Sequence, residues 1–267
     1  MVESYLMESP DEAIRLELKT DPEAVRSQAR WCGVKEGMKV LDAGCGPGTV
    51  TRILHAMVEP SGSITGIDCS EGRLAYAQER STDCEGIEFV KHNICEPFPY
   101  RGEFDLVWVR FVLEYFRNDL SRIVANLSET LKPGGTLCLL DLDNNCLNHF
   151  PLPEKMAVVL PNILKLLEEK HNFDPFVGRK LYTLLYDLGY ENIEVEIRAH
   201  HLIYGRLMDR DFFNWMKKIE MITGREKKLF DGYPGGVEGF FKDFQKFFLD
   251  PRRFTYTPLV MCKGTKP

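Results

Sequence analysis

The chain has 267 residues, 44% of them apolar and 28% charged, with a net charge of −6. This composition excludes disorder and a collagen-like repeat for the bulk of the chain, and the length suits one large domain or two small ones. There is no run of eighteen apolar residues, so no helix spans a membrane. The basic runs at 217–218 and 225–228 are short and lie near acids, which disfavours a nucleic-acid partner.

The first nineteen residues are acidic and amphipathic and lack the basic start and continuous apolar run of a secretory signal. Eight cysteines are scattered without a CxxC pair. They indicate neither zinc nor a disulfide framework, and a cytoplasmic location is expected.

In chain order, residues 11–31 predict a helix that starts at Pro10 and Asp11 and breaks near Thr20-Asp21-Pro22, with a second helix from Pro22 to Trp31. Residues 39–43 form a short apolar strand that runs into Gly44-Cys45-Gly46-Pro47-Gly48, and residues 49–57 a helix. A strand at 63–68, a helix at 70–80 and a strand at 87–92 follow. Residues 104–109 are apolar on both faces, as in buried parallel strands. A helix at 120–131 is stopped by Pro133-Gly134-Gly135, and a fifth strand covers 136–141. This alternation predicts a doubly wound parallel sheet.

The second half is less regular. A helix covers 154–171, with Pro161 as a kink or break, and another covers 178–188, closed by Gly189. Residues 193–203 alternate apolar and polar as a half-exposed strand. Residues 209–249 hold two aromatic helices around Tyr233-Pro234-Gly235-Gly236. The last strand covers 259–263, with Pro258 at its first position, where a missing N–H costs no ladder bond.

A strand, a glycine-rich turn and a helix together hold a nucleotide-like ligand, because the backbone comes close and helix amides face it. The dinucleotide fingerprint is G-x-G-x-x-G. Here the glycines are at 44, 46 and 48, Thr49 stands where the third belongs, and Asp42 precedes the turn. That acid opposes a pyrophosphate and suits a cationic or ammonium group.

The segment Val40-Leu41-Asp42-Ala43-Gly44-Cys45-Gly46-Pro47-Gly48-Thr49 resembles the first motif of class I S-adenosylmethionine-dependent methyltransferases. Gly66-Ile67-Asp68-Cys69-Ser70 resembles the acidic end of their second strand. His92-Asn93-Ile94 resembles the third-strand end, although the family more often has Asp where Asn93 stands. Phe104-Asp105-Leu106-Val107 with Phe111-Val112-Leu113-Glu114 resembles the fourth strand and its exit, and 131–137 the turn before the fifth. The landmarks cover residues 38–141 and are most similar to the small-molecule branch that includes the ubiquinone and menaquinone methyltransferases.

The resemblance implies a Rossmann-like α/β fold with a seven-stranded sheet, mostly parallel with the last strand antiparallel. It also implies S-adenosylmethionine as cofactor and a small-molecule methyl acceptor. Gly44, Cys45 and Gly46 would hold the amino acid end of the cofactor, with Asp42 near its ammonium. Asp68 would accept the ribose hydroxyls. Cys69, Arg73, Asn93 and Ile94 would bound the adenine, and Arg110 would lie near the methionyl portion and the acceptor. The competing explanation for Arg73 and Arg110 is a surface or ion-pair role.

A general base is needed only for a weakly acidic acceptor. The candidates are His149, His200, His201, Glu114, Tyr115 and Asp141. His149 follows the fifth strand, where acceptor-side loops gather, and is the catalytic candidate. Phe240, Phe241, Phe244, Phe247 and Phe248 share one helical face. That face is core, the wall of an apolar acceptor site, or a subunit interface of a homodimer. The expected organisation is an N-terminal helical cap at 1–35, a cofactor-binding core at 36–204 and 254–267, and a helical lid insertion at 205–253. Tyr5 belongs with the cap. The alternatives are a protein or nucleic-acid methyltransferase, a regulatory protein that binds the cofactor without methyl transfer and, more distantly, an NAD-dependent oxidoreductase.

Overall fold

Two short helices, α1 (Glu12–Lys19) and α2 (Pro22–Cys32), precede the sheet, separated where Asp21-Pro22 forces a break. The Asp21 carboxylate accepts from the amides of Glu23 and Ala24 at 3.0 and 3.2 Å, and Pro22 fills the first helical position, where no N–H is needed. The architecture comes from a computed structural model that describes residues 12–145 and 147–267. The expected helix start at Pro10 and Asp11, Tyr5 and Cys146 lie outside the described residues.

Strand and helix then alternate as β1 (Lys39–Ala43), α3 (Thr49–Val58), β2 (Ser63–Asp68), α4 (Glu71–Glu79), β3 (Ile87–Lys91), β4 (Phe104–Arg110), α5 (Leu120–Thr130) and β5 (Leu131–Leu142). The second half adds β6 (His149–Phe150), α6 (Glu154–Lys170), α7 (Leu181–Asp187), β7 (Glu191–Tyr204), α8 (Asp209–Arg225), α9 (Gly236–Leu249) and β8 (Phe254–Thr265). The sheet runs β3-β2-β1-β4-β5-β8-β6, with β7 also paired to β8. The first five strands pair in parallel, and β8 is antiparallel to β5, β6 and β7. Chain order reverses between β1 and β4, which opens a crevice at their carboxyl ends.

The described sheet has eight strands where seven were expected. The addition, β6, is two residues long and pairs with Thr255 and Phe254. The fifth strand begins five residues earlier than expected. Residues 132–135 bulge out between the pairs Phe104↔Leu131 and Leu106↔Thr136, so the Pro133-Gly134-Gly135 kink is absorbed without ending the strand. Pro258 lies inside β8, not at its start. It faces a register shift in β7 between Ala199 and His201, and β5 leaves β8 at the pair Leu142↔Leu259, so its missing donor falls where the ladders are already interrupted. Pro161 remains within α6, on its exposed side. The expected helix at 178 opens as a tight 3-10 turn, Val177–Lys180, before α7.

β4 alternates faces, and both are buried. Val107 and Val109 pack with α5 and α7, whereas Leu106 and Trp108 pack with α2 and α3. A third cluster joins α6, α8 and α9 around Trp215, Phe240, Phe244 and Phe248. The phenylalanine face is therefore chiefly core, and its cluster reaches beyond 205–253 onto α6. Arg253 is 1% exposed and fastens this layer. Its guanidinium donates to the carbonyls of Phe248, Ile203 and Gly205 at 2.9, 2.7 and 3.3 Å.

Candidate functional site

β1 ends at the crevice, and the chain turns through three glycines with φ of 78°, 54° and 73° at Gly44, Gly46 and Gly48. The Gly44 and Cys45 amides both donate to the Ile67 carbonyl, at 2.8 and 2.9 Å, which ties the turn to the end of β2. A Cβ on Gly44 would stand 2.4 Å from Cγ2 of Val112. Left-handed backbone costs an L residue about 1–2 kcal/mol, and overpacking costs about 1–3 kcal/mol. Gly44→Ala is therefore expected to lose roughly 2–5 kcal/mol in chemical denaturation. Adding Val112→Ala should recover only the packing share.

Asp68 closes the turn from the β2 side. Its Oδ2 accepts the Gly46 amide at 2.9 Å. Its Oδ1 accepts the Ser70 amide at 2.9 Å and the Arg73 Nε and Nη2 at 3.2 and 2.9 Å. Both side chains are buried. Arg73 is thus an ion-pair arginine that also lines the crevice.

Asp42 lies beneath the turn, 3% exposed, and accepts the Thr51 hydroxyl at 2.7 Å. Burial pushes its pKa up to about 6, against the Thr51 hydrogen bond and the nearby charge of Arg110. Arg110 leaves β4 into the crevice. Its Nε donates to Gln28 at 2.9 Å, its guanidinium sits 4.0 Å from the Phe111 ring centre, and burial lowers its pKa to about 10. Asn93 shapes its own turn, accepting the Cys95 amide at 3.1 Å.

A cavity of about 520 Å³ gathers every residue expected around the cofactor except Asp42, which stays below the glycine turn. Two further features suit an anionic and polar ligand. Gly48 brings no side chain to cap α3, and Thr49 and Val50 of its first turn line the cavity, where helix amides suit an anion. The Thr49 hydroxyl, on the same wall, is buried and meets no partner among the described residues. The chain also contributes α1 here, with Leu16 3.6 Å from where a Cβ on Gly46 would sit.

A second cavity, of about 90 Å³, adjoins the first across Lys19, Phe111 and Tyr115, which line both. Its walls are largely apolar, from α6, α8 and α9, and include Trp215 and Phe244. Glu114, His200, His201 and Lys218 also reach it. Burial raises the Glu114 pKa, opposed by Lys218 and Lys19, and the Asn145 amide donates to its Oε2 at 2.8 Å. Asp141 lies behind it, accepting the Glu114 amide at 3.2 Å, and burial holds its pKa well above the carboxylate range. Burial also holds both histidines well below the usual imidazole range.

His149 reaches neither cavity. Its Nδ1 meets the Thr255 hydroxyl at 2.8 Å, and its ring packs against Trp215 and Phe247 at 5.2 and 5.6 Å between centres. Pairing of β6 with β8 turns it into the aromatic cluster. His200 and His201 both border the second cavity despite their adjacency, because the register shift in β7 falls at that point. Lys19, Phe111 and Lys218 were not among the site residues expected from the sequence. The available signal was the amphipathic first helix, whose last residue, Lys19, turns inward.

A family described as "Methyltransferase domain" matches residues 40–135. A demethylmenaquinone methyltransferase of Staphylococcus aureus is 36% identical over 191 residues, covering 64% of this chain and 78% of that one. Among solved structures, a provisionally named methyltransferase from Bacillus halodurans has a TM-score of 0.61 at 19% identity, over 92% of this chain and 99% of that one. Phosphoethanolamine N-methyltransferase 2 from Haemonchus contortus, in complex with S-adenosylmethionine, has a TM-score of 0.57 at 18% identity, over 92% of this chain and 52% of that one. At these identities the structural likenesses speak to the fold.

Proposed function

We propose that this chain, which belongs to the class I S-adenosylmethionine-dependent methyltransferases, methylates a small hydroxylated ring compound of quinone type, held in the narrow apolar cavity beside Phe111. One observation carries this reading: a mostly apolar cavity with a buried carboxyl group shares a wall with the cofactor crevice. The quinone-related name of the Staphylococcus aureus relative supports the substrate class, and the net charge of −6 supports a small acceptor over a nucleic acid.

Gly44, Gly46 and the open amides of α3 hold the amino acid end of the cofactor, Asp42 favours its ammonium from below, and Asp68 takes the ribose. Asn93, Ile94 and Cys69 border the adenine, and Arg110 stands by the methionyl side. When bound, the cofactor supplies a methyl group on a positively charged sulfur. Glu114 would receive the proton of the acceptor hydroxyl, and the oxygen so ionised would take the methyl group that the cofactor supplies, leaving a neutral thioether. The helical layer of α6, α8 and α9 and the N-terminal cap serve as a lid that excludes water, so that positioning supplies most of the rate.

The test is to incubate the protein with S-adenosylmethionine and 1,4-naphthohydroquinone under anaerobic conditions, following S-adenosylhomocysteine and methylated product by mass spectrometry. Cofactor binding without acceptor-dependent turnover on any ring hydroxyl would overturn the ring-acceptor reading. The ammonium assignment has its own signature. Cofactor affinity is expected to fall as the pH drops through about 6, where Asp42 gains its proton. Titration calorimetry across that range should show the loss in the native chain and a flat profile in Asp42→Asn.

A further inference from the structure

Lys19 is the last residue of α1. The Asp21-Pro22 break prevents the helix from continuing. The chain turns instead, with the Thr20 hydroxyl donating to the Leu16 carbonyl at 2.7 Å, and the lysine side chain enters the seam between the two cavities. Its Nζ lies 5.6 Å from the centre of the Phe111 ring. Among the described residues no carboxylate or carbonyl accepts a hydrogen bond from it. The surrounding charges are already engaged. Arg15 is held by both oxygens of Glu12, at 2.7 Å each, and donates to Asn214 at 2.8 Å. Glu114 is held by Asn145, and the Lys218 ammonium lies 4.9 Å from the Trp215 ring centre. His200 and His201 complete the surroundings. Lys19 is half-buried in this seam, and an ammonium drawn from water without an acceptor is costly unless a ligand supplies one.

We infer that Lys19 is the positioning residue that binds the acceptor's ionised oxygen and thereby fixes the ring at the mouth of the cofactor crevice. The inference rests on the proposed methyl transfer to a small ring acceptor. Three observations support it: the residue lines both cavities, its donors are unspent among the described residues, and its neighbour Phe111 offers a ring face against which an aromatic acceptor stacks. Burial, reinforced by Arg15 and Lys218, lowers the Lys19 pKa to about 7, so a bound anion would draw it back to the charged form.

The experiment uses 4-nitrophenol and its non-ionisable isostere 4-nitroanisole, with the protein saturated by S-adenosylhomocysteine. The phenolate absorption band reports the charge state of the bound probe. The native chain is expected to bind nitrophenol at least about tenfold more tightly than nitroanisole, the scale of one charged hydrogen bond, and to hold it as the phenolate below its solution pKa. Lys19→Met should abolish both the preference and the phenolate band, while Lys19→Arg keeps them. Calorimetry with S-adenosylmethionine runs in parallel. If the cofactor fails to bind the native chain, the methyltransferase reading fails. If it binds and the phenolate preference is missing, or survives in folded Lys19→Met, the Lys19 assignment is overturned alone. Loss of the preference in Lys19→Arg as well as Lys19→Met would also overturn it.

Discussion

Replacing Asp68 by alanine is expected to lower the stability of the free protein by about 3–5 kcal/mol, the cost of breaking a buried ion pair by removing its acid. Arg73, the Gly46 amide and the Ser70 amide all lose an acceptor at once. A carboxylate has roughly four lone-pair sites, and here four donors already approach it. A ribose must therefore share Asp68 with the guanidinium or move it aside. The variant Asp68→Ala/Arg73→Met separates the two roles. Chemical denaturation should show most of the stability restored. Titration with S-adenosylmethionine should still show affinity reduced by more than about 1 kcal/mol, the scale of a charged hydrogen bond. Native affinity in the double variant would remove the ribose assignment.

The second large effect is on turnover. Glu114→Gln keeps the shape of the side chain and an oxygen for the Asn145 amide, and removes the proton acceptor. The expected loss is on the order of 10²–10⁴-fold in kcat, typical of a missing general base, with cofactor binding intact. The sign of the pH effect follows from burial, which raises the Glu114 pKa. The base works only when ionised, so the native rate falls as the pH is lowered through that raised value. Glu114→Gln should lack this limb. A variant that keeps both rate and limb would move the base elsewhere, and Asp141, directly behind, is the next carboxyl in line.

The cofactor half of the molecule was legible because its signals are local. Asp21-Pro22 states its own helix break, and the apolar character of both faces of residues 104–109 states a strand buried on both sides. Three glycines within five residues admit left-handed backbone that other residues resist. The acceptor half was not legible, because its geometry is made by pairings distant in sequence. His149 looked catalytic from its nearness to the fifth strand, yet a two-residue pairing with Thr255 turns it into the aromatic layer. Nothing in the sequence marked Lys19, and only the fold brings it against Phe111. Pro258 looked like a strand boundary because a sequence shows the missing N–H and not the register shift that accommodates it.

The buried guanidinium of Arg253 gathers carbonyls from both ends of the chain's longest helical excursion, residues 203 and 205 on one side and 248 on the other. Entry and exit are thereby clasped at a single point. An excursion closed in this way is a cassette. Its interior can be rewritten for a different guest, provided the clasp is copied along with it, while the machinery that handles the methyl donor stays unaltered.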